Sequence, residues 1–387
     1  MNTASYISPV IRDLPSSGIR KFFDLVAEMT GVISLGVGEP DFVTPWHIRE
    51  ASIYSLEKGY TMYTSNHGLL ELREEIANYL MRTFHVSYDP RTELMVTVGA
   101  SEGVDLAMRT LLCPGDEVLL IDPAYVSYMP CVTMAGGKPI AVPTKEEDDF
   151  KLNPEILRSY ITPRTKILLL CYPNNPTGAI MNAQELAAIA EIVEEHNLLV
   201  ISDEIYAELT YEGKPTSFAA LPGMRDRTIL LSGFSKAWAM TGWRIGYIAT
   251  NSDFLRQMVK IHQYTALCAP VMGQMAAIEA LRNGDAAKQK MVETYDQRRR
   301  LLVNGFRELG LDCFEPKGAF YTFPSIKKTG LSSEEFAQRL LDQAKVAVVP
   351  GNAFGPGGEG HIRCSYAYST AQLKEALQRM KQFLNTL

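Results

Sequence analysis

None of the chain's six cysteines, at 113, 131, 171, 268, 313 and 364, forms a Cys-x-x-Cys pair. That spacing argues against a zinc ribbon, a thioredoxin-type redox site and a disulfide framework. The six histidines show no His-Glu-x-x-His pattern, which removes that class of zinc enzyme. No apolar run approaches the length needed to span a bilayer. The opening residues, Met1-Asn2-Thr3-Ala4-Ser5-Tyr6, lack a charged stretch followed by an apolar one, so no secretory signal is read there. Basic residues do not cluster, and a formal net charge of -6 gives no nucleic-acid footprint. A nicotinamide enzyme calls for Gly-x-Gly-x-x-Gly after an early strand, and Gly36-Val37-Gly38 does not continue that way. Repeats and low-complexity segments are missing. What remains is a globular chain of 387 residues, expected to be cytoplasmic and long enough for two domains or one large one.

Short apolar runs alternate with helical stretches from about residue 94 to 250, which predicts a parallel α/β sheet. The runs are 94–98, 118–121, 166–171, 198–202, 228–231 and 245–250, with a helix at 182–196 between the third and fourth. Earlier, Ile19, Phe22, Phe23 and Val26 predict a short amphipathic helix over 18–29, and Leu69, Leu72, Ile76, Tyr79 and Leu80 predict another over 68–84. The order then changes to a long charged helix (285–309), a strand (318–326), a helix (332–344), strands at 346–349 and 361–366, and a final helix (369–384). Ser332 and Glu335 form a capping-box pattern. This mixed order suggests a smaller α+β domain. The charge run Lys145-Glu146-Glu147-Asp148-Asp149 reads as a solvated loop.

In open α/β sheets, ligands bind outside the carboxyl ends of the strands, and the chemistry-bearing residues fall just after such ends. Gly99-Ala100-Ser101-Glu102 opens a helix, whose N–H groups and dipole suit a phosphate. Tyr172-Pro173-Asn174-Asn175-Pro176-Thr177-Gly178 is a stiff loop able to present the Asn175 amide, or simply a turn. Asp203, in Asp203-Glu204-Ile205-Tyr206, could cap a helix or charge-pair with a pyridine nitrogen, and Tyr206 could reach a phenolic oxygen. Lys236 follows Ser235, with Arg244 eight positions on. A shielded lysine forms Schiff bases with carbonyl compounds, and an arginine pairs with phosphate. Alone, each residue has a plainer role. Together they suit a carbonyl cofactor that carries a phosphate.

With these motifs the chain resembles the class I/II aminotransferases, the fold-type I pyridoxal-phosphate enzymes. The resemblance runs from about Ile33 to the C-terminus. It is carried by Gly36-Val37-Gly38-Glu39-Pro40-Asp41-Phe42, the 63–68 segment, the loop at Asn175, 202–206, 235–246 and His361-Ile362-Arg363-Cys364-Ser365-Tyr366-Ala367. It is similar above all to the bacterial and archaeal branch with aspartate and aromatic aminotransferases. The resemblance implies an N-terminal arm (1–45) packing with the small domain, a large cofactor-binding domain (46–285) with a mostly parallel seven-stranded sheet, and a small α+β domain (286–387).

It also implies roles. Lys236 would bond to the cofactor and later move the substrate proton. Asp203 would pair with the ring nitrogen, Asn175 and Tyr206 would bond the phenolic oxygen, and Tyr125 would stack on the ring unless it is a core aromatic. Ala100, Ser101, Ser235 and Arg244 would hold the phosphate. Tyr63 would reach the neighbouring subunit's phosphate in a homodimer with shared sites. Arg363 would grip the substrate's α-carboxylate beside a backbone contact from Gly38, with Asn175 also binding the substrate. Arg363 sits in an expected strand, where an unpaired arginine is costly, which favours a ligand or an ion pair. The implied reaction passes an amino group from an L-amino acid to a 2-oxo acid such as 2-oxoglutarate. Ser101 and Glu102 stand where aspartate-preferring relatives commonly have a basic residue, so a broad or an aromatic or apolar donor is expected. Ser16, Ser17, Ile19 and Tyr264 are implied pocket positions. A carbon–sulfur β-lyase on the same fold is the alternative reading, and a non-enzymatic regulator is a more distant one.

Overall fold

The computed structural model describes residues 3–15 and 29–387. Strand β1 (Ile33–Ser34) belongs to the N-terminal segment. The next seven build the central sheet: β2 (Leu94–Val98), β3 (Glu117–Asp122), β4 (Lys138–Pro143), β5 (Thr165–Cys171), β6 (Leu199–Asp203), β7 (Thr228–Gly233) and β8 (Ile245–Ala249). Their spatial order is β2-β8-β7-β6-β5-β3-β4. Only β8 runs against its neighbours, antiparallel to both β2 and β7. Helices cover both faces, so β3, β7 and β8 are buried at every position and read in the sequence as short apolar runs flanked by a few buried polar residues or glycines.

All six expected runs appear, each shifted by no more than two residues. The strand without such a run is β4. It lies at the sheet edge, is mostly half-buried, and holds Pro139 and Pro143. Proline is tolerated on an edge, where no further ladder bond is required. Asn182 starts the helix Ala183–Glu195 with a complete capping box through Glu185.

The C-terminal part begins with the helix Asp285–Glu308. Beyond it come β9 (Tyr321–Thr322), β10 (Val346–Ala347), β11 (Val349–Pro350) and β12 (Ile362–Ser365). Antiparallel pairing gives the order β11-β12-β9, and β1 pairs in parallel with β10 through Ile33 and Val346. The strand expected over 318–326 shrinks to two residues: Ala319 takes a left-handed φ of 57°, and Pro324 cannot donate to a ladder. One core lies between the central sheet and its helices, around Leu119, Leu168, Val200 and Ile229. A second gathers Leu35, Tyr295, Phe306, Phe336, Val346 and Phe383.

Two local expectations change. Ser332 accepts from the Glu335 N–H at 3.2 Å, but the Glu335 carboxylate turns to Arg339, so the capping box is only half made. The acidic run is not wholly solvated, because Glu146 reaches His361 Nε2 at 3.2 Å. The amphipathic helix expected over 18–29 lies outside the described residues except for its last position. Among the described residues, no helix is long and apolar enough to cross a membrane.

Candidate active site

The carboxyl ends of the parallel strands open into a cavity of about 370 Å³. Gly38, Ala100, Ser101, Tyr125, Asn175, Asp203, Tyr206, Ser235, Lys236, Arg244 and Arg363 all line it. Lys236 enters from the turn after β7, and its Nζ donates to the Gly38 carbonyl at 2.7 Å. Burial pushes its amine down to about 8, with Arg363 and Arg244 acting the same way and Glu39 and Asp203 opposing them. A lysine so shifted has a far larger neutral, nucleophilic fraction near neutral pH than an ordinary lysine.

Asp203 ends β6 and starts no helix, so the helix-cap alternative falls away. Its carboxylate accepts from the Tyr128 hydroxyl at 2.7 Å and from the Ile205 N–H at 3.1 Å. Burial raises its pKa, while those two donors and the Lys236 charge pull it back. Tyr206 is buried, which raises its phenol well above the ordinary value, and its hydroxyl lies 2.8 Å from that of Tyr321. Tyr125 is half-buried at the cavity wall and meets Tyr128 edge-on, with 5.5 Å between ring centroids, so it is not a plain core aromatic.

Arg363 lies on β12 and is 3% exposed. Its Nη1 donates to Asn175 Oδ1 at 2.9 Å and its Nη2 to the Gly36 carbonyl at 2.6 Å. Its Nε is buried with no partner among the described residues. A guanidinium has five N–H donors, so donors remain for an incoming carboxylate. At the other end Arg244, itself left-handed at φ 56°, donates to the Thr241 carbonyl at 2.9 Å. It passes so close to Gly99 (φ +76°) that a Cβ there would strike the guanidinium. Ala100 and Ser101 follow in the first turn of the helix Gly99–Leu111, beside Ser235. Glu102 turns away, accepting from the Val98 N–H at 2.6 Å and contacting His262 Nδ1 at 2.7 Å.

Tyr63 and Tyr264 do not reach the cavity; both stand on the surface, 82% and 85% exposed. Ser16, Ser17 and Ile19 lie outside the described residues. Sequence reasoning missed Tyr128 and Tyr321, both buried and lining the cavity, together with Val37, Glu39, Val104, Ile205 and Thr241. The available signal for the first was its place three residues after Tyr125, to whose carbonyl its N–H donates at 3.1 Å across a turn. Nothing local marks Tyr321.

The arrangement fits pyridoxal phosphate. A neutralisable amine, an acid at a strand tip, a helix N-terminus with an arginine beside it, and an arginine with unused donors face one space. The comparisons agree. The family model described as aminotransferase class I and II matches residues 30–380. The putative aminotransferase YugH of Bacillus subtilis is 55% identical over 381 residues, covering 98% of this chain and 99% of that protein. Aromatic-amino-acid aminotransferase 2 of Thermococcus litoralis is 46% identical, covering 95% of each. Among solved structures, the aspartate aminotransferase of Thermus thermophilus with maleate superposes with a TM-score of 0.93 at 37% identity, over 97% of this chain and 99% of that one. These relatives do not favour the lyase reading, and aminotransferases of this kind use pyridoxal 5'-phosphate. An amine primed for Schiff-base chemistry and a relationship that runs through almost the whole chain lead to one conclusion: the chain belongs to the class I and II aminotransferases and is a pyridoxal-phosphate-dependent transaminase.

Proposed function

We propose that the chain transfers the amino group of an aromatic or apolar L-amino acid to a 2-oxo acid such as 2-oxoglutarate, with aspartate a poorer donor. One observation carries the choice of donor. The cations among the described cavity residues are Lys236, Arg244 and Arg363, and each has a task at the cofactor or the α-carboxylate. Val37, Val104 and Ile205 add apolar wall. A side-chain carboxylate therefore finds no further cation among these residues.

When bound, the cofactor supplies a carbonyl carbon for the amino group and a ring that withdraws electrons. Lys236 is assigned the covalent attachment and the transfer of the Cα proton, for which an amine poised near neutrality is suited. Asp203, steadied by Tyr128 and Ile205, would pair with the ring nitrogen and favour its protonated form. Asn175 and Tyr206 would bond the phenolic oxygen, and Tyr125 would stack on the ring. Ala100, Ser101, Ser235 and Arg244 would hold the phosphate. Arg363, with a backbone contact from Gly38, would bind and orient the substrate carboxylate beside the amine. Tyr63 is assigned to the phosphate of a second subunit in a homodimer, which its exposure beside Met62 supports. The division into an arm (1–45), a large domain (46–285) and a small domain (286–387) is part of this reading, as is a cytoplasmic setting.

The test is an absorbance titration of the purified, cofactor-loaded protein with single amino acids. Phenylalanine, tyrosine and leucine should discharge the visible band faster than aspartate, and 2-oxoglutarate should restore it. Aspartate reacting as fast as phenylalanine overturns the donor assignment, and a protein that takes up no cofactor overturns the role of Lys236.

A further inference from the structure

We propose that Tyr321 is a positioning residue that joins the substrate-carboxylate arginine to the tyrosine facing the cofactor's phenolic oxygen. The inference rests on the roles assigned above to Arg363 and Tyr206. Tyr321 sits on β9, directly opposite Ser365 of β12, two residues beyond Arg363 on that strand. Its ring centroid lies 4.5 Å from Arg363 Cζ, and that of Phe354 lies 4.7 Å from the same atom. Tyr321 and Phe354 are both buried, and a cation over an aromatic face is held more strongly where water is excluded. The same side chain sends its hydroxyl to within 2.8 Å of Tyr206 Oη. It also packs on Gly38, where a Cβ would fall 2.5 Å from the Tyr321 oxygen. Gly38 is the residue whose carbonyl holds the Lys236 amine.

The ring and the hydroxyl do different things. The ring limits rotation of the guanidinium, two of whose N–H groups are already committed to Asn175 and Gly36. The remaining donors are thereby offered in one plane. The hydroxyl, when it donates to Tyr206, polarises that phenol, so the proton of Tyr206 becomes a stronger donor in turn. Losing this donor leaves more negative charge on the phenolic oxygen, which then holds a nearby proton more tightly. A tyrosine that merely filled the core would do neither.

Two variants separate these effects in the cofactor-loaded enzyme. The readouts are the pH midpoint of the visible band and the dissociation constant of 3-phenylpropanoate, a carboxylate without an amine. Tyr321→Phe should raise the midpoint by about 0.5 to 1 pH unit, the size expected for one hydrogen bond, and leave carboxylate affinity within about twofold. Tyr321→Leu should raise the midpoint similarly and weaken carboxylate binding about 3- to 30-fold, the range of one cation–π contact. An unmoved midpoint in Tyr321→Phe overturns the inference, as does equal loss of carboxylate affinity in both variants. If Tyr321→Leu does not fold, the midpoint of Tyr321→Phe decides alone. A wild-type protein with no visible band removes the proposed function and this inference together, an outcome distinct from a band that the variants leave in place.

Discussion

Around Lys236, Asp203 and Arg363 the polar groups are enclosed and held by their own chain, whereas around Tyr63 and Tyr264 large side chains stand in the open. In the first region Gly38 holds the lysine, Tyr128 and Ile205 hold the aspartate, and Asn175 and Gly36 hold the arginine. In the second, Met62 is 79% exposed, and Asn66 Nδ2 bonds the Leu267 carbonyl at 2.8 Å, which brings the segment around Tyr63 against the end of the helix that carries Tyr264. Trp46, Tyr54 and Tyr60 are also exposed. In the homodimer proposed above, a second copy would cover these side chains. The difference shows which chemistry a single chain can tune. Burial by their own chain shifts Lys236 and Asp203. Tyr63 has no such surroundings within its own chain.

Lys236→Met should have the largest effect, lowering kcat/KM by at least about 10⁴-fold in steady-state assays, because covalent attachment and proton transfer both go with it. The same variant sharpens the burial argument. The folded lysine loses its proton near 8 and the unfolded one near 10.5. Between these values the unfolded chain binds more protons, so stability of the cofactor-free protein should rise with pH across that window. Lys236→Met should flatten the rise and stabilise the cofactor-free protein at pH 7 by up to about 3 kcal/mol, as read by denaturant melts at several pH values. A variant less stable than wild type at pH 7 would falsify this account.

Arg363→Leu should come next. Loss of a buried, charge-assisted contact with the carboxylate predicts a fall of about 10²- to 10³-fold in kcat/KM, expressed mainly in KM. A change confined to kcat would break the assignment. Tyr63→Phe should matter less, weakening cofactor retention about tenfold, the worth of one hydrogen bond to a charged group. Equilibrium dialysis would measure this, and a loss that persists when the protein is diluted to monomer would place Tyr63 outside the shared-site reading. Ser332→Ala touches neither region. It removes one helix cap, costs about 1 kcal/mol in a thermal melt and leaves kcat/KM unchanged.

The site was legible in the sequence to the extent that its parts are local. Asp203, Asn175, Lys236 and the Gly99-Ala100-Ser101 turn each follow a strand that announces itself by an apolar run, and parallel strands place such turns at one edge. Residues that enter from other directions were harder to read. Tyr321 comes from a two-residue strand that follows the left-handed Ala319, and Tyr128 comes from a short helix whose N-cap Ser127 makes no side-chain cap bond. Edge strand β4 was missed among the apolar runs for the same kind of reason: its half-buried positions carry no continuous apolar pattern.

By itself the sequence determined the alternation of strand and helix and the chemical groups at the strand ends, because periodicity and turn chemistry act over a few residues, and its motifs carried the family resemblance. Only the tertiary structure decided that Tyr321 stands between Arg363 and Tyr206, that Glu102 turns to His262 and away from the cavity, and that Tyr63 remains outside the cavity of its own chain. Those outcomes depend on which distant segments pack together and what each contact buries. Neither quantity is carried by any one stretch of the chain.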